Sequence, residues 1–284
     1  MPDIPRIGSQ IWEGNYTVKN CPNLRYGKGL KYFEYNWKTP ENEKIVIWSD
    51  LGIPSAQNPK FSKVPYKVAW MMEGPGVYEW GHFQPTKKWL FSNLDVFAAV
   101  ATCDDSLVDK YPDKMIFVPY GGILVPLEST RIYEKTKLCS MTMGTIYPPR
   151  DVVYSKYKDS GKVDFLGKAV NKPYASTEDG FKDYMYHITI ASSCQNRYFS
   201  QNLTDAFACG TVPIWWGCPG IGDFFDINGM IIVNSLVELD EALKKISPED
   251  YNNRLSAVAT NHQLVEKYRT PENVLWENVL SKLY

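Results

Sequence analysis

Histidine is scarce in this chain of 284 residues: three are present, His82, His187 and His262. Their scatter has no metal-ligand spacing. The six cysteines, at 21, 103, 139, 194, 209 and 218, form no C-x-x-C pair. They read as small reduced core residues, not as a zinc site or a disulfide framework. Neither sign of charge is in excess, with a net charge of -1 and a pI near 6.3. That weighs against a broad nucleic-acid footprint, while leaving room for a local basic groove. No apolar run reaches the length of a membrane span. The opening Met1-Pro2-Asp3-Ile4-Pro5-Arg6 carries no signal-peptide core, so a soluble, cytoplasmic protein is expected. The sequons at Asn15 and Asn202 are then irrelevant. No Walker, G-x-G-x-x-G or G-x-S-x-G pattern occurs. No internal repeat or low-complexity segment occurs either.

What is present is a chain with the material for a packed core, at 44% hydrophobic residues, and an abundance of rings: nine Trp, nineteen Tyr and twelve Phe. Such rings serve as sugar platforms or as core, and composition does not separate the two. Residues 1–42 lack periodicity and are expected to be irregular, apart from a strand near Tyr32–Tyr35. Strands follow at Lys44–Ser49, Tyr66–Met72, Val96–Thr102 and Met115–Gly122, with a short helix over 85–93. The strand Lys44–Ser49 ends in a loop with Asp50, Gly52 and Pro54, and Glu73 lies just past the next strand, in a Gly/Pro loop where α/β folds place chemistry. Asp104-Asp105 reads as a helix cap or solvated turn. A boundary is expected over 123–136, rich in turn formers. The second half holds strands at Lys137–Thr142, Val163–Gly167, His187–Ala191 and Gly229–Val233. Helices are expected over Asp151–Lys158, ending at Phe181–Tyr186, over Leu236–Ile246, from Ser247-Pro248, and over Pro271–Tyr284. The domains are therefore 1–128, 129–270 and a terminal helix, 271–284, that packs back on the first.

The most informative stretch is Tyr198–Gly217. Ser200 is an N-cap candidate. Leu203, Ala206 and Phe207 share one helical face, and Gly210 is a stop. Val212–Trp216 is a buried strand. With His187–Ala191 upstream this makes a βαβ unit of a parallel sheet. Such sheets bind ligands at the carboxyl ends of their strands, and a helix start favours an anion. The reading is a phosphate crevice near 192–204, or else an ordinary βαβ unit with an empty loop. Of Trp215-Trp216, one ring is expected in the core and one in a cleft.

Five segments in order resemble the family 10 glycosyltransferases, the α1,3/α1,4-fucosyltransferases. Tyr198-Phe199-Ser200-Gln201-Asn202-Leu203 and Cys209–Gly217 fit the frame of the family signature, Tyr-x-[Ser/Thr]-Glu-Lys-[Leu/Ile] followed by a small-residue helix, Gly, x and Val-Pro. Arg150 with Val163-Asp164-Phe165-Leu166-Gly167 resembles its Arg…Val-Asp-x-x-Gly segment. Trp70-Met71-Met72-Glu73-Gly74-Pro75 and Val118-Pro119-Tyr120-Gly121 resemble two segments of its first half. The likeness spans about residues 66–235. It implies an α/β, GT-B-like fold of two Rossmann-like domains with a cleft between them. It also implies inverting transfer of fucose or a related sugar from a nucleoside diphosphate, GDP-fucose or another, to a glycan hydroxyl, with no cofactor strictly required. Glu73 falls on the family's catalytic base, and Arg150 on its diphosphate-contacting arginine. A guanidinium suits two phosphate oxygens, and an arginine in a first helical turn opposes the helix dipole unless it serves an anion. Arg197, Tyr198, Ser200, Gln201 and Asn202 complete the implied donor site, with no metal.

The signature also departs from the family. Its Glu-Lys is Gln201-Asn202, and its usual Phe-Glu-Asn-Ser is Ile190-Ala191-Ser192-Ser193. Three explanations stand: a changed donor, Arg197 as substitute cation, or a non-catalytic nucleotide- or glycan-binding module. A further alternative is a glycosyltransferase acting on modified DNA bases, which the near-neutral charge disfavours. The lack of an anchor suggests a bacterial or viral source, with host cytoplasm the location if viral.

Overall fold

The computed structural model describes residues 4–10, 30–79, 81 and 83–284. Cys21, His82, the Asn15 sequon and the irregular structure expected over 11–29 lie outside them. The chain divides into two units: Met1–Tyr120 with Thr270–Tyr284, and Gly121–Arg269.

Among the described residues the first unit is built on six parallel strands: β1 (Arg6–Gln10), β2 (Glu34–Asn36), β3 (Ile45–Ser49), β4 (Tyr66–Met71), β5 (Ala99–Thr102) and β6 (Met115–Phe117). Their order is β2-β1-β3-β4-β5-β6. Strand β3, Ile-Val-Ile-Trp-Ser, is buried throughout, the mark of a parallel strand covered on both faces. Trp48 packs edge-on to Phe61 at 5.0 Å within a core that includes Phe97 and Leu90 of the following elements. Helices α1 (Gln84–Phe91) and α2 (Asp105–Lys110) connect the later strands. The C-terminal helix, Pro271–Asn278, belongs to this unit. There Glu277 accepts from the Tyr32 hydroxyl at 2.8 Å, and Asn273 from the Lys31 amide at 3.0 Å.

Strand β1 corrects the expectation of irregular structure at the N-terminus. Arg6-Ile7-Gly8-Ser9-Gln10 has one large apolar side chain and no periodicity, so pattern cannot find it. Its place between β2 and β3 is secured by backbone pairing on both edges. A close approach adds to this, because a Cβ on Gly8 would lie 2.5 Å from the Pro40 carbonyl oxygen.

The second unit has five parallel strands: β7 (Lys137–Thr142), β8 (Asp164–Leu166), β9 (Tyr184–Ile190), β10 (Val212–Trp216) and β11 (Ile231–Ile232), in the order β11-β10-β9-β7-β8. Five helices accompany them: α3 (Arg150–Tyr157), α4 (Gln201–Ala208), α5 (Leu236–Lys245), α6 (Pro248–Asn253) and α7 (Leu255–Leu264). A helix ending at Phe181–Tyr186 is not present. A single 3₁₀ turn at Thr177–Gly180 is closed by Ser176 and Asp179, and β9 starts at Tyr184. The aromatic and β-branched run from Tyr184 favours a pleated surface over a helix. Gly210 ends α4 with a φ of +67°, the left-handed conformation expected of a C′ glycine. Trp215 is fully buried, with its indole N–H donating to Cys218 O, while Trp216 is half-buried. All five described cysteines are free. Among the described residues no helix is long and apolar enough to cross a membrane.

Candidate functional site

In the second unit the chain runs from β7 outward to β8, then returns to place β9 on the other side of β7. The order reverses between β7 and β9, and parallel sheets bind ligands at such a point, beyond the strands' carboxyl ends. Arg150 enters from one side, in the first turn of α3, and Ile190–Ser192 from the other, at the end of β9. The two meet. Arg150 is buried, and its Nη2 donates to the Ile190 carbonyl. Its guanidinium lies over the Tyr147 ring at 4.7 Å. The Tyr198 hydroxyl is within electrostatic reach of it and sits 3.1 Å from Ser192 Oγ. Burial pushes the proton affinity of the guanidinium down, and the Tyr147 and Tyr198 phenols push it back up. An arginine stays cationic through such changes. Among the described residues its Nε has no acceptor. A buried donor left unmade costs about 1–3 kcal/mol, which an anion at that spot would recover.

Beneath Arg150 the strands are locked by His187. The Thr142 amide donates to its Nε2 at 3.1 Å, and Nδ1 lies 2.8 Å from Thr189 Oγ1. Nε2 is thus the acceptor, and the proton of the neutral ring sits on Nδ1. Burial first, and the Arg150 charge second, hold this imidazole down at about 3. It is a neutral strut and leaves Arg150 as the cation at the switch point.

The loop after β9 leads to α4. Ser200 has the extended φ/ψ of an N-cap, yet its side chain makes no capping bond. Among the described residues its buried Oγ has no partner, and neither does Gln195 Oε1 in the same loop. Gln201 and Asn202 form the first turn of α4, both half-buried, and Tyr198 and Phe199 are buried. Phe199 anchors the loop through edge contacts with Phe224, Phe225 and Tyr268 at 5.1–5.4 Å. The loop is also held at Asn196, whose carbonyl accepts from the Gly220 amide at 2.9 Å. Arg197 lies with its Nε 4.0 Å from Asp223 and its guanidinium over Phe224 at 5.4 Å. A half-exposed pair of this length contributes little to stability. Helix α4 itself is rigidly seated. Thr204 Oγ1 donates to Gly122 O at 2.6 Å, and Asp205 accepts from the Leu124 and Val125 amides at 2.7 and 3.0 Å.

In the first unit, Glu73 follows β4, half-buried. Beside it is Asp50, just past β3. Its Oδ1 accepts from the amides of Met72 at 2.9 Å and Glu73 at 3.3 Å, and from the Tyr78 hydroxyl. Burial pushes the Asp50 carboxyl up to about 7. The Tyr78 bond pulls it down, and the Glu73 charge pushes it up again. From the end of β5, the Cys103 thiol donates to the Glu73 carbonyl at 3.6 Å. Asp104 caps α2, accepting from the Ser106 amide at 3.1 Å. Among the described residues no group of three or more His, Cys, Asp or Glu is set to hold a metal ion.

The fold thus brings Arg150 and Tyr198 together, and places Ser200, Gln201, Asn202 and Arg197 along the adjoining loop and helix start. Sequence reasoning passes over Tyr147 and Gln195, and over the pairing of Asp50 with Glu73. A signal for that pairing exists, since both carboxylates directly follow neighbouring strands. Nothing in the pattern assigns Tyr147, a ring in a Pro-rich loop.

No known family's profile matches the sequence, and no curated protein matches it. Solved structures do resemble it. An α1,3-fucosyltransferase with GDP superposes with a TM-score of 0.61 at 13% identity, over 98% of this chain and 92% of that one. Anabaena HepE in complex with UDP gives 0.58 at 9%, over 86% and 79%. A DNA-modifying β-glucosyltransferase gives 0.57 at 13%, over 98% and 99%. The chain therefore has the GT-B fold, with two Rossmann-like α/β units.

Proposed function

We propose that this protein is a glycosyltransferase that moves a sugar from a nucleoside-diphosphate donor to an acceptor hydroxyl with inversion. The observation that carries the reading is Arg150: a buried cation at the strand-order reversal of the second unit, whose Nε has no acceptor among the described residues. Arg150 holds the diphosphate. Ser200 Oγ and the start of α4 supply further donors to it. Tyr198 and Ser192 shape the wall beside Arg150. Gln201 and Asn202, neutral where the fucosyltransferase signature has Glu-Lys, meet the sugar or ribose by neutral hydrogen bonds. The donor is accordingly fucose-like or a related sugar on a nucleotide that the polar contacts here accept. Arg197 supplies a second cation once it turns from Asp223.

Glu73 is the base. The acceptor O–H proton passes to its carboxylate as the acceptor oxygen bonds to the anomeric carbon. The anomeric C–O bond to phosphate breaks, and its electron pair leaves with the nucleoside diphosphate. No step requires a metal ion. Similar folds crystallise with GDP, GDP-fucose, UDP and UDP-glucose, which supports a nucleotide sugar without choosing one.

The test is calorimetric titration with GDP-, UDP- and dTDP-sugars, followed by a transfer assay on glycan acceptors with the donor that binds. Binding by none of them would sink the reading. Binding without turnover, unchanged by Glu73→Gln, would leave a nucleotide-binding module. A second acceptor class is favoured by one observation, the near end-to-end match with a DNA-modifying β-glucosyltransferase. On that reading the hydroxyl belongs to a modified base in DNA. The absence of a shift on duplex DNA at low salt would set it aside.

A further inference from the structure

The carboxylate beside Glu73 has no part in the chemistry above, and its setting is costly. Asp50 is 3% exposed and holds a φ of 46°, a left-handed conformation that non-glycine residues rarely keep. Burying a carboxylate without a cation is unfavourable. If the role were only to bind two amides, a neutral asparagine would do it, since asparagine tolerates the same backbone conformation. What the carboxylate adds is charge next to Glu73.

The backbone geometry is equally directed. One oxygen of Asp50 collects the Met72 and Glu73 amides and the Tyr78 hydroxyl. Cys103 takes the Glu73 carbonyl from the other side. The peptide groups flanking Glu73 are thus held by two neighbouring strand ends, β3 and β5, while its own strand is β4. A base must be fixed to within hydrogen-bond reach of its proton.

We infer that Asp50 is a positioning residue for Glu73: it fixes the backbone that carries the base, and the two carboxyls titrate as a coupled pair whose second ionisation makes Glu73 the stronger base. The inference deepens the assignment of Glu73 and rests on it. Below that ionisation Asp50 holds a proton and adds no charge beside Glu73. Above it, the charge on Asp50 raises the affinity of Glu73 for the acceptor proton. Asp50 ionises at about 7, raised first by its burial. Among the described residues the other titratable groups facing Asp50 are Tyr78 and Cys103, and the Asp104 charge acts on Cys103. Burial and neighbouring carboxylates push both the Tyr78 phenol and the Cys103 thiol up. They stay protonated, so neither titrates in this range.

Two arms test this. In the first, carboxyl-carbon NMR of ¹³C-labelled protein follows Asp50, assigned with Asp50→Asn, without any need for turnover. We expect its midpoint near neutrality and a fall of at least half a pH unit in Glu73→Gln. An ordinary midpoint, or one that Glu73→Gln leaves in place, overturns the coupling even if transfer is found. In the second, kcat/KM is followed against pH with the donor that binds. The wild type should show a limb near neutrality, Asp50→Asn should lose it, and Tyr78→Phe should move it to higher pH, because the phenol bond favours the ionised Asp50. Limbs that coincide in all three proteins overturn the positioning role. If no donor supports transfer, the proposed function fails, while the first arm still decides the coupling.

Discussion

Replacing Asp50 by Asn should change how the stability of this protein depends on pH, and the size of the change follows from burial. Asp50 ionises at about 7 in the folded protein against an ordinary 3.8. The folded state therefore binds the proton more tightly than the unfolded chain. The sign follows from that: the stabilisation from holding this proton is fully present below the unfolded value and is lost as pH rises through the folded one. Between pH 5 and pH 8 the wild type should lose roughly 2.5 kcal/mol relative to the asparagine variant, at about 1.4 kcal/mol per pH unit where the two states differ. His187 works in the opposite direction, since burial lowers it and its neutral form is destabilised as pH falls. It is common to both proteins and cancels in the difference. The assay is thermal and urea unfolding of wild type and Asp50→Asn at each pH from 5 to 8. The gap in melting temperature should move toward the variant by roughly 5–10 °C across that range, at about 2–4 °C per kcal/mol. A gap independent of pH would refute the claim that a buried carboxyl is held protonated beside Glu73.

Three further outcomes are expected. Glu73→Gln should abolish sugar transfer while nucleotide affinity, measured by calorimetry, stays within about twofold, because the substitution is isosteric and removes only the base. Ser200→Ala should weaken nucleotide binding by about 3- to 10-fold without loss of melting temperature, since Ser200 Oγ makes no bond among the described residues. Gly210→Ala should destabilise the second unit by about 1–3 kcal/mol in urea unfolding, through its positive φ and the Ile132 atoms 2.8–3.0 Å from the added Cβ.

The legible parts of this fold are those where period and punctuation coincide. Ser200, the apolar face of α4 and Gly210 delimit a helix from local rules, and Val212–Trp216 is a buried run of strand length. Strand β1 was not legible, because its place depends on backbone pairing and on the close approach at Gly8. Tyr184–Tyr186 reads as helix only while the partner strands β7 and β10 are unknown; they pair with β9 along its length. In the site, Arg150 is conspicuous from sequence as a cation at a helix start. Its burial, its stacking on Tyr147 and its bond to Ile190 arise from the β7–β9 adjacency. Likewise Asp50 and Glu73 lie 23 positions apart, and the pairing of β3 with β4 makes them neighbours.

The central claim is that Arg150 receives the diphosphate of a nucleotide sugar, and titration of wild type and Arg150→Lys with GDP and UDP tests it most directly. Lysine keeps the charge but not the fork that holds two oxygens, so the variant should stay folded and bind the preferred nucleotide at least about 10-fold more weakly. Equal affinity in both proteins, or no binding of either nucleotide by the wild type, would contradict it.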